Sequence, residues 1–132
     1  MAFVQFIAGR LLKIFMNTKI KGLYGEDLAV KHLVRQKYKI IARNYSCPTG
    51  EIDIVALDKK TLVFVEVKAR ANQSFGLPGE AVNNPKQWHI AKTAQYFIHE
   101  YQVFSLETRF DVIEILGEKI NHIKNAFETN LL

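Results

Sequence analysis

At 132 residues and 15.2 kDa the chain has the length of one ordinary domain, and 48% hydrophobic with 23% charged residues excludes wholesale disorder. No apolar run approaches the ~18–20 residues of a membrane span, and a single cysteine, Cys47, excludes an internal disulfide or a zinc ribbon of paired thiolates. Lysine and arginine number 18 against 13 acids, a net charge of +5 that favours a polyanionic partner, nucleic acid before an anionic membrane surface.

Residues 1–21 read as an amphipathic extension, with Phe3, Phe6, Ile7, Leu11, Ile14 and Phe15 at helical spacing. Arg10 and Lys13 interrupt it and no small-residue cleavage site follows, which argues against a secretory signal. Three readings stay open: a helix docked on a partner or second copy, residues ahead of a natural start at Met16, or a helix packed on its own domain. Residues 22–132 form the domain proper.

Gly22 to Gln36 reads as a first helix, with Leu23, Ala29, Val30, Leu33 and Val34 as its apolar stripe. Tyr38 to Tyr45 is β-branched and aromatic-rich, a first strand, and Pro48-Thr49-Gly50 turns the chain into the alternating run Glu51 to Leu57. Asp58-Lys59-Lys60 turns it again into Leu62 to Ala71, the most β-prone run present. A surface loop is expected from Asn72 to Gly79, and Asn84-Pro85 as N-cap and first-turn proline open a helix to about Tyr101. Arg109 to Leu116 is a fourth strand and Lys119 to Ile123 a short last one. Short turns make the first three strands an antiparallel meander, and the intervening helix allows a parallel crossover to the fourth. The predicted fold is α/β, a mixed sheet flanked by helices.

The acids fall where a core strand does not want them. Alternation sets Ile52, Ile54 and Ala56 on one face of the second strand and Glu51, Asp53 and Val55 on the other. On the third strand Phe64, Glu66, Lys68 and Arg70 share a face. A turn centred on Lys59 and Lys60 makes opposite residue numbers sum to about 119, which sets Asp53 against Glu66. Two such carboxylates repel unless something positive lies between them; a divalent cation is the natural solution, with Lys68 as a fixed charge beside it. The plainer reading is an amphipathic hairpin with a solvated polar face. The apolar run through Val67 argues against it, because it suits a covered central strand where unpaired charge is costly.

Gly50-Glu51-Ile52-Asp53 followed by Phe64-Val65-Glu66-Val67-Lys68-Ala69-Arg70 resembles the PD-(D/E)xK signature of restriction-endonuclease-like nucleases. The chain resembles more closely the bacterial YraN-type family, itself similar to archaeal Holliday-junction resolvases. Further landmarks are Gly25-Glu26 with Ala29, Arg43-Asn44-Tyr45, Lys86-Gln87, Arg109-Phe110-Asp111 and Asn125-Ala126-Phe127, so that the likeness covers roughly residues 22 to 127. Ile52 stands where the generic signature has proline.

The resemblance implies a restriction-endonuclease-like core and a metal-dependent DNA endonuclease, structure-directed on branched DNA. It implies catalytic positions at Glu26, Asp53, Glu66 and Lys68, with Asp53 and Glu66 holding Mg²⁺ or Mn²⁺ and Glu26 reaching the same centre. The Val67 carbonyl is a further expected ligand, Lys68 orients the nucleophile, and Glu51 supports from behind or serves a second ion. Arg70, Lys86, Gln87 and the loop from Asn72 to Gly79 are the expected phosphate contacts. A homodimer is implied too, since junction resolvases cut two strands across a two-fold axis.

Other residues take plainer roles. Arg109 and Asp111 are expected to be structural, the four histidines structural or at the surface, and Trp88 and Phe97 core residues. Cys47 sits in a turn with no histidine near it in sequence, which argues against a nucleophile. Two rivals of other classes stand beside the nuclease: a nucleic-acid-binding module that keeps the fold and cuts nothing, and an adaptor anchored by residues 1–21. The cysteine usage points to a reducing, cytoplasmic setting.

Overall fold

The computed structural model describes residues 24–70 and 82–132. The expected extension over residues 1–21 and the loop from Asn72 to Gly79 lie outside the described residues. In chain order the elements are α1 (Tyr24–Arg35), β1 (Lys39–Cys47), β2 (Gly50–Asp58), β3 (Thr61–Arg70), α2 (Asn84–Tyr101), β4 (Glu107–Leu116) and β5 (Lys119–Ile123). The five strands form one mixed sheet in the order β1-β2-β3-β4-β5, antiparallel throughout except for the parallel β3–β4 pair. That is the predicted α/β architecture, with the apolar run of β3 at the centre. No described helix is long and apolar enough to cross a membrane.

The helices cover opposite faces. Ala29 and Leu33 of α1 pack with Ile54, Ala56, Val63, Val65, Ile113 and Ile115. On the other face α2 buries Ile90, Ala94 and Phe97 against Val55, Leu62, Phe64, Phe110 and Val112. Phe97 is fully buried and meets Tyr45 and Phe64 edge-on, while Phe64 stacks on Phe110 and Phe110 on Phe127.

Three sequence expectations change. Ile52 packs in the α2 layer with Val55, not in the α1 layer with Ile54 and Ala56. Across from this break, between the pairs Arg43↔Ile54 and Tyr45↔Ile52, Asn44 has a left-handed φ of 54°, and a register shift lies between Ile40 and Ala42. The N-cap of α2 is Asn83, not Asn84; its Oδ1 accepts the Lys86 N–H at 3.0 Å, and Pro85 follows inside the first turn. Trp88 is not a core residue but is half exposed on α2, whereas Phe97 is buried as expected.

The turn from β1 to β2 is pinned to α2. Gly50 has φ +146°, and a Cβ there would stand 3.3 Å from Thr93 Oγ1, so both conformation and space call for glycine. Thr93 Oγ1 lies 3.0 Å from Thr49 Oγ1 and donates to the His89 carbonyl at 2.8 Å. The segment carrying Glu51 and Asp53 therefore enters the sheet at a fixed height on α2.

Candidate functional site

The β2–β3 ladder runs from Asp58↔Thr61 to Ile54↔Val65, every pair summing to 119, and ends there. Asp53 and Glu66 are the next step, so the predicted register holds up to the point where the seam opens. Beyond it the Val67 N–H donates to Asp53 Oδ2 at 2.8 Å. A side-chain carboxylate thus replaces the ladder bond, and Asp53 is held between the strands.

Glu26 arrives from the start of α1. That turn lies close against the end of β3, where a Cβ on Gly25 would be 3.4 Å from Ala69 Cβ. Glu26 is 6% exposed, and Arg43 Nη2 stands 3.8 Å from its Oε2 while bonding Asp27 at 2.8 Å. Glu26 Oε2 and both amide atoms of the neighbouring Asn44 are buried and make no hydrogen bond.

The charges answer to this crowding. Burial, then the Glu66 charge, push the Asp53 carboxyl up to about 6, against the pull of the Val67 N–H; Glu51 adds to the rise. Burial and then the Asp53 charge raise Glu26 as well, with Asn44 and Arg43 working in the other direction. Glu66 is paired across the opening by Lys86 of α2, Nζ to Oε1 3.3 Å. Among the described residues no three His, Cys, Asp or Glu side chains already stand close enough to hold a metal ion. What the three acids offer is oxygen donors from three elements, two of them with raised proton affinity, the chemistry a hard divalent cation prefers.

Asp53 thus stands between the other acids: Glu26 and Glu66 each act on it, Glu51 does so more weakly, and Lys86 pairs with Glu66. Lys68 lies exposed two residues beyond Glu66, level with Glu114 of β4. Gln87 turns back on its own helix start, Nε2 to the Val82 carbonyl at 3.0 Å. Arg70 closes β3 level with Leu116, and its side chain lies outside the described part. Asn44, which the sequence shows only as a landmark of the resemblance, is marked as part of this wall by its left-handed φ and its burial. An apolar groove of about 270 Å³, lined by Ile98, Val103, Phe104 and Leu131, lies at the other end of α2.

A second polar cluster forms at the opposite end of the sheet. Asp111, fully buried, accepts from Arg109 Nε at 2.8 Å, from the Asn125 N–H at 3.0 Å and from His122 Nε2 at 2.7 Å. Arg109 also reaches Asp58 and the Tyr38 hydroxyl, and His32 of α1 lies 3.0 Å from His122 Nδ1. These groups tie α1, the turn into β1, β2, β4 and β5 together, so the structural roles expected for Arg109 and Asp111 stand.

The comparisons with known proteins bear on this arrangement. Residues 25–115 match the model of the uncharacterised protein family UPF0102. A UPF0102 protein of Caldicellulosiruptor bescii is 49% identical over 119 residues, covering 85% of this chain and all of that one. One from Geobacter sulfurreducens is 47% identical over 117 residues, covering 85% of this chain and 91% of its own length. With the family model spanning the site's helix, its strands and α2, and with relatives this similar, the chain belongs to the UPF0102 family, the one its YraN-type resemblance indicated.

Proposed function

We propose that the protein is a divalent-metal-dependent DNA endonuclease directed to branched substrates. The observation that carries this reading is the crowding of Asp53, Glu66 and Glu26 at the opened β2–β3 seam. Asp53 is pushed up to about 6, and the buried Glu26 carboxyl is raised by burial and the Asp53 charge. Crowded carboxylates cost stability in a metal-free fold, and a site that trades protons for a cation gains from them.

Asp53 and Glu66, with Glu26, hold Mg²⁺ or Mn²⁺; a bound divalent ion supplies an acidified water and neutralises charge on the scissile phosphate. The chain's own groups do the rest. The Val67 N–H fixes one Asp53 oxygen and so the direction of the other. Lys86, 50% exposed at its side chain, leaves Glu66 for a substrate phosphate, and Lys68 orients the attacking water. Arg70 and Gln87 add phosphate contacts at the margin. A two-fold dimer presents two such sites to a four-way junction.

The test is cleavage of a synthetic four-way junction beside a matched linear duplex, in Mn²⁺ and in Mg²⁺, with Glu66→Ala purified in parallel. Cutting that the variant loses is expected, faster on the junction. No cutting in either metal, with salt-sensitive binding unchanged by Glu66→Ala, replaces the nuclease with a binding module of the same fold. Light scattering at micromolar concentration tests the dimer.

A further inference from the structure

Trp88 is the chain's one tryptophan, and α2 leaves it 50% exposed. Four residues on is Lys92, its Nζ 5.6 Å from the centre of the Trp88 ring, and four further is Tyr96, 46% exposed. An i, i+4, i+8 series is one line along a helix, here about 12 Å from Trp88 to Tyr96 at roughly 1.5 Å per residue. The line lies opposite the side that buries Ile90, Ala94 and Phe97, so packing does not explain its aromatics. Helix α2 carries one acid, Glu100, which accepts the Tyr45 hydroxyl at 2.9 Å. Lys86, paired with Glu66, stands in its first turn.

We infer that the Trp88–Lys92–Tyr96 line is a stacking platform for unpaired bases of the DNA whose backbone reaches the carboxylate site, so that the substrate has a single-stranded or unstacked arm. The inference rests on the proposed nucleic-acid reading and names the strand state. Two half-exposed aromatic rings separated by a lysine suit bases alternating with phosphates: the rings take the bases and the ammonium takes the backbone. A protein-docking patch would be a continuous apolar surface without a cation in its middle. A duplex offers its edges and phosphates but no free base faces, so it gains only the lysines. Lys92 already lies over the Trp88 ring, the geometry of a cation–π contact that a stacked base joins or displaces.

The lone tryptophan makes the test direct. In EDTA the full chain is titrated, by Trp fluorescence and by anisotropy of a labelled strand, with an oligo-dT, an abasic oligomer of equal length and a duplex. Saturable quenching by oligo-dT is expected, with weak or no quenching by the abasic strand and the duplex. Because Trp88 and Tyr96 are exposed, Trp88→Leu and Tyr96→Ala should fold normally. Each is expected to weaken oligo-dT binding about tenfold, and abasic binding hardly at all. Equal binding of abasic and base-bearing strands, or wild-type affinity in Trp88→Leu, overturns the platform. Cleavage tests the other reading separately: quenching without cutting sinks the nuclease and leaves the platform, and cutting without quenching does the reverse.

Discussion

Asp53 Oδ2 accepts the backbone N–H of Val67 at 2.8 Å, one step past the last paired residues of β2 and β3. The bond keeps a carboxylate at a position where the Glu66 charge and burial both oppose its ionisation. A structural bond and an electrostatic penalty therefore meet in one side chain.

Asp53→Asn separates them, because the amide oxygen still accepts from Val67 but carries no charge. With a native pKa of about 6 against 3.8 in the unfolded chain, the native state binds more protons between those values. Stability from this group is thus full below pH ~4 and lost as pH rises through 6. Melting in EDTA should show the wild-type protein losing ground to Asp53→Asn between pH 4 and 7. A constant difference across that range would contradict the assignment. Any cutting activity should vanish in the same variant.

Metal should reverse the sign. Ligands must be deprotonated, so Mn²⁺ should raise the melting temperature at pH 8 and have little effect at pH 5. At about a hundredfold excess over Kd the gain is roughly 2.7 kcal/mol. Glu66→Gln should abolish it; an undiminished shift in that variant would move the ion elsewhere.

Lys86 competes with such an ion for Glu66. Its side chain is 50% exposed, so Lys86→Ala should cost less than about 1 kcal/mol in urea unfolding. Calorimetry should then find Mn²⁺ bound more tightly, while DNA binding weakens and its salt slope falls by about 1. Weaker metal binding in Lys86→Ala would show the lysine supporting the ion instead of excluding it.

The far cluster should be purely structural. Asp111 is buried with Arg109, His122 and the Asn125 N–H on it, so Asp111→Ala removes the acceptor of three hydrogen bonds, leaving Arg109 only Asp58 and Tyr38, and should cost about 3 kcal/mol. If Asp111→Ala folds at low temperature, its metal affinity should be unchanged, measured by the same calorimetry. His32, whose pKa is lowered by burial and then by the His122, Lys124 and Arg35 charges, adds an acid-side signature. Its contribution is full above pH ~6.5 and lost as pH falls below it, and His32→Gln should remove that slope.

Much of this was legible in the chain. The turn at Lys59 and Lys60 set the register that carries Asp53 to Glu66, and the apolar run from Leu62 to Val67 marked the central strand. What periodicity could not deliver were the places where one residue leaves the pattern. Ile52 packs in the other layer where Asn44 across from it has φ 54°, and no pattern of polar and apolar residues encodes a left-handed step. The Lys86–Glu66 pair joins residues twenty apart across a crossover, so only the assembled sheet reveals it. Trp88 misled because size and hydrophobicity suggest burial, while its side of α2 is decided by where Ile90, Ala94 and Phe97 point. The His32–His122 contact spans ninety positions and has no local signal at all.

Strand β3 is bonded along its length by β4 and over half of it by β2. Backbone amides of the stretch Leu62 to Val65, paired on both sides, are therefore expected to exchange with deuterium only as fast as the whole molecule unfolds. The Lys86 amide, by contrast, is held by a side-chain cap in the first turn of α2, where helices fray. One wall of the carboxylate cleft is then static on the scale of hours, and the other yields within a single helical turn. Adjustment falls to the helix end, while Glu66, the one acid on β3, keeps its place.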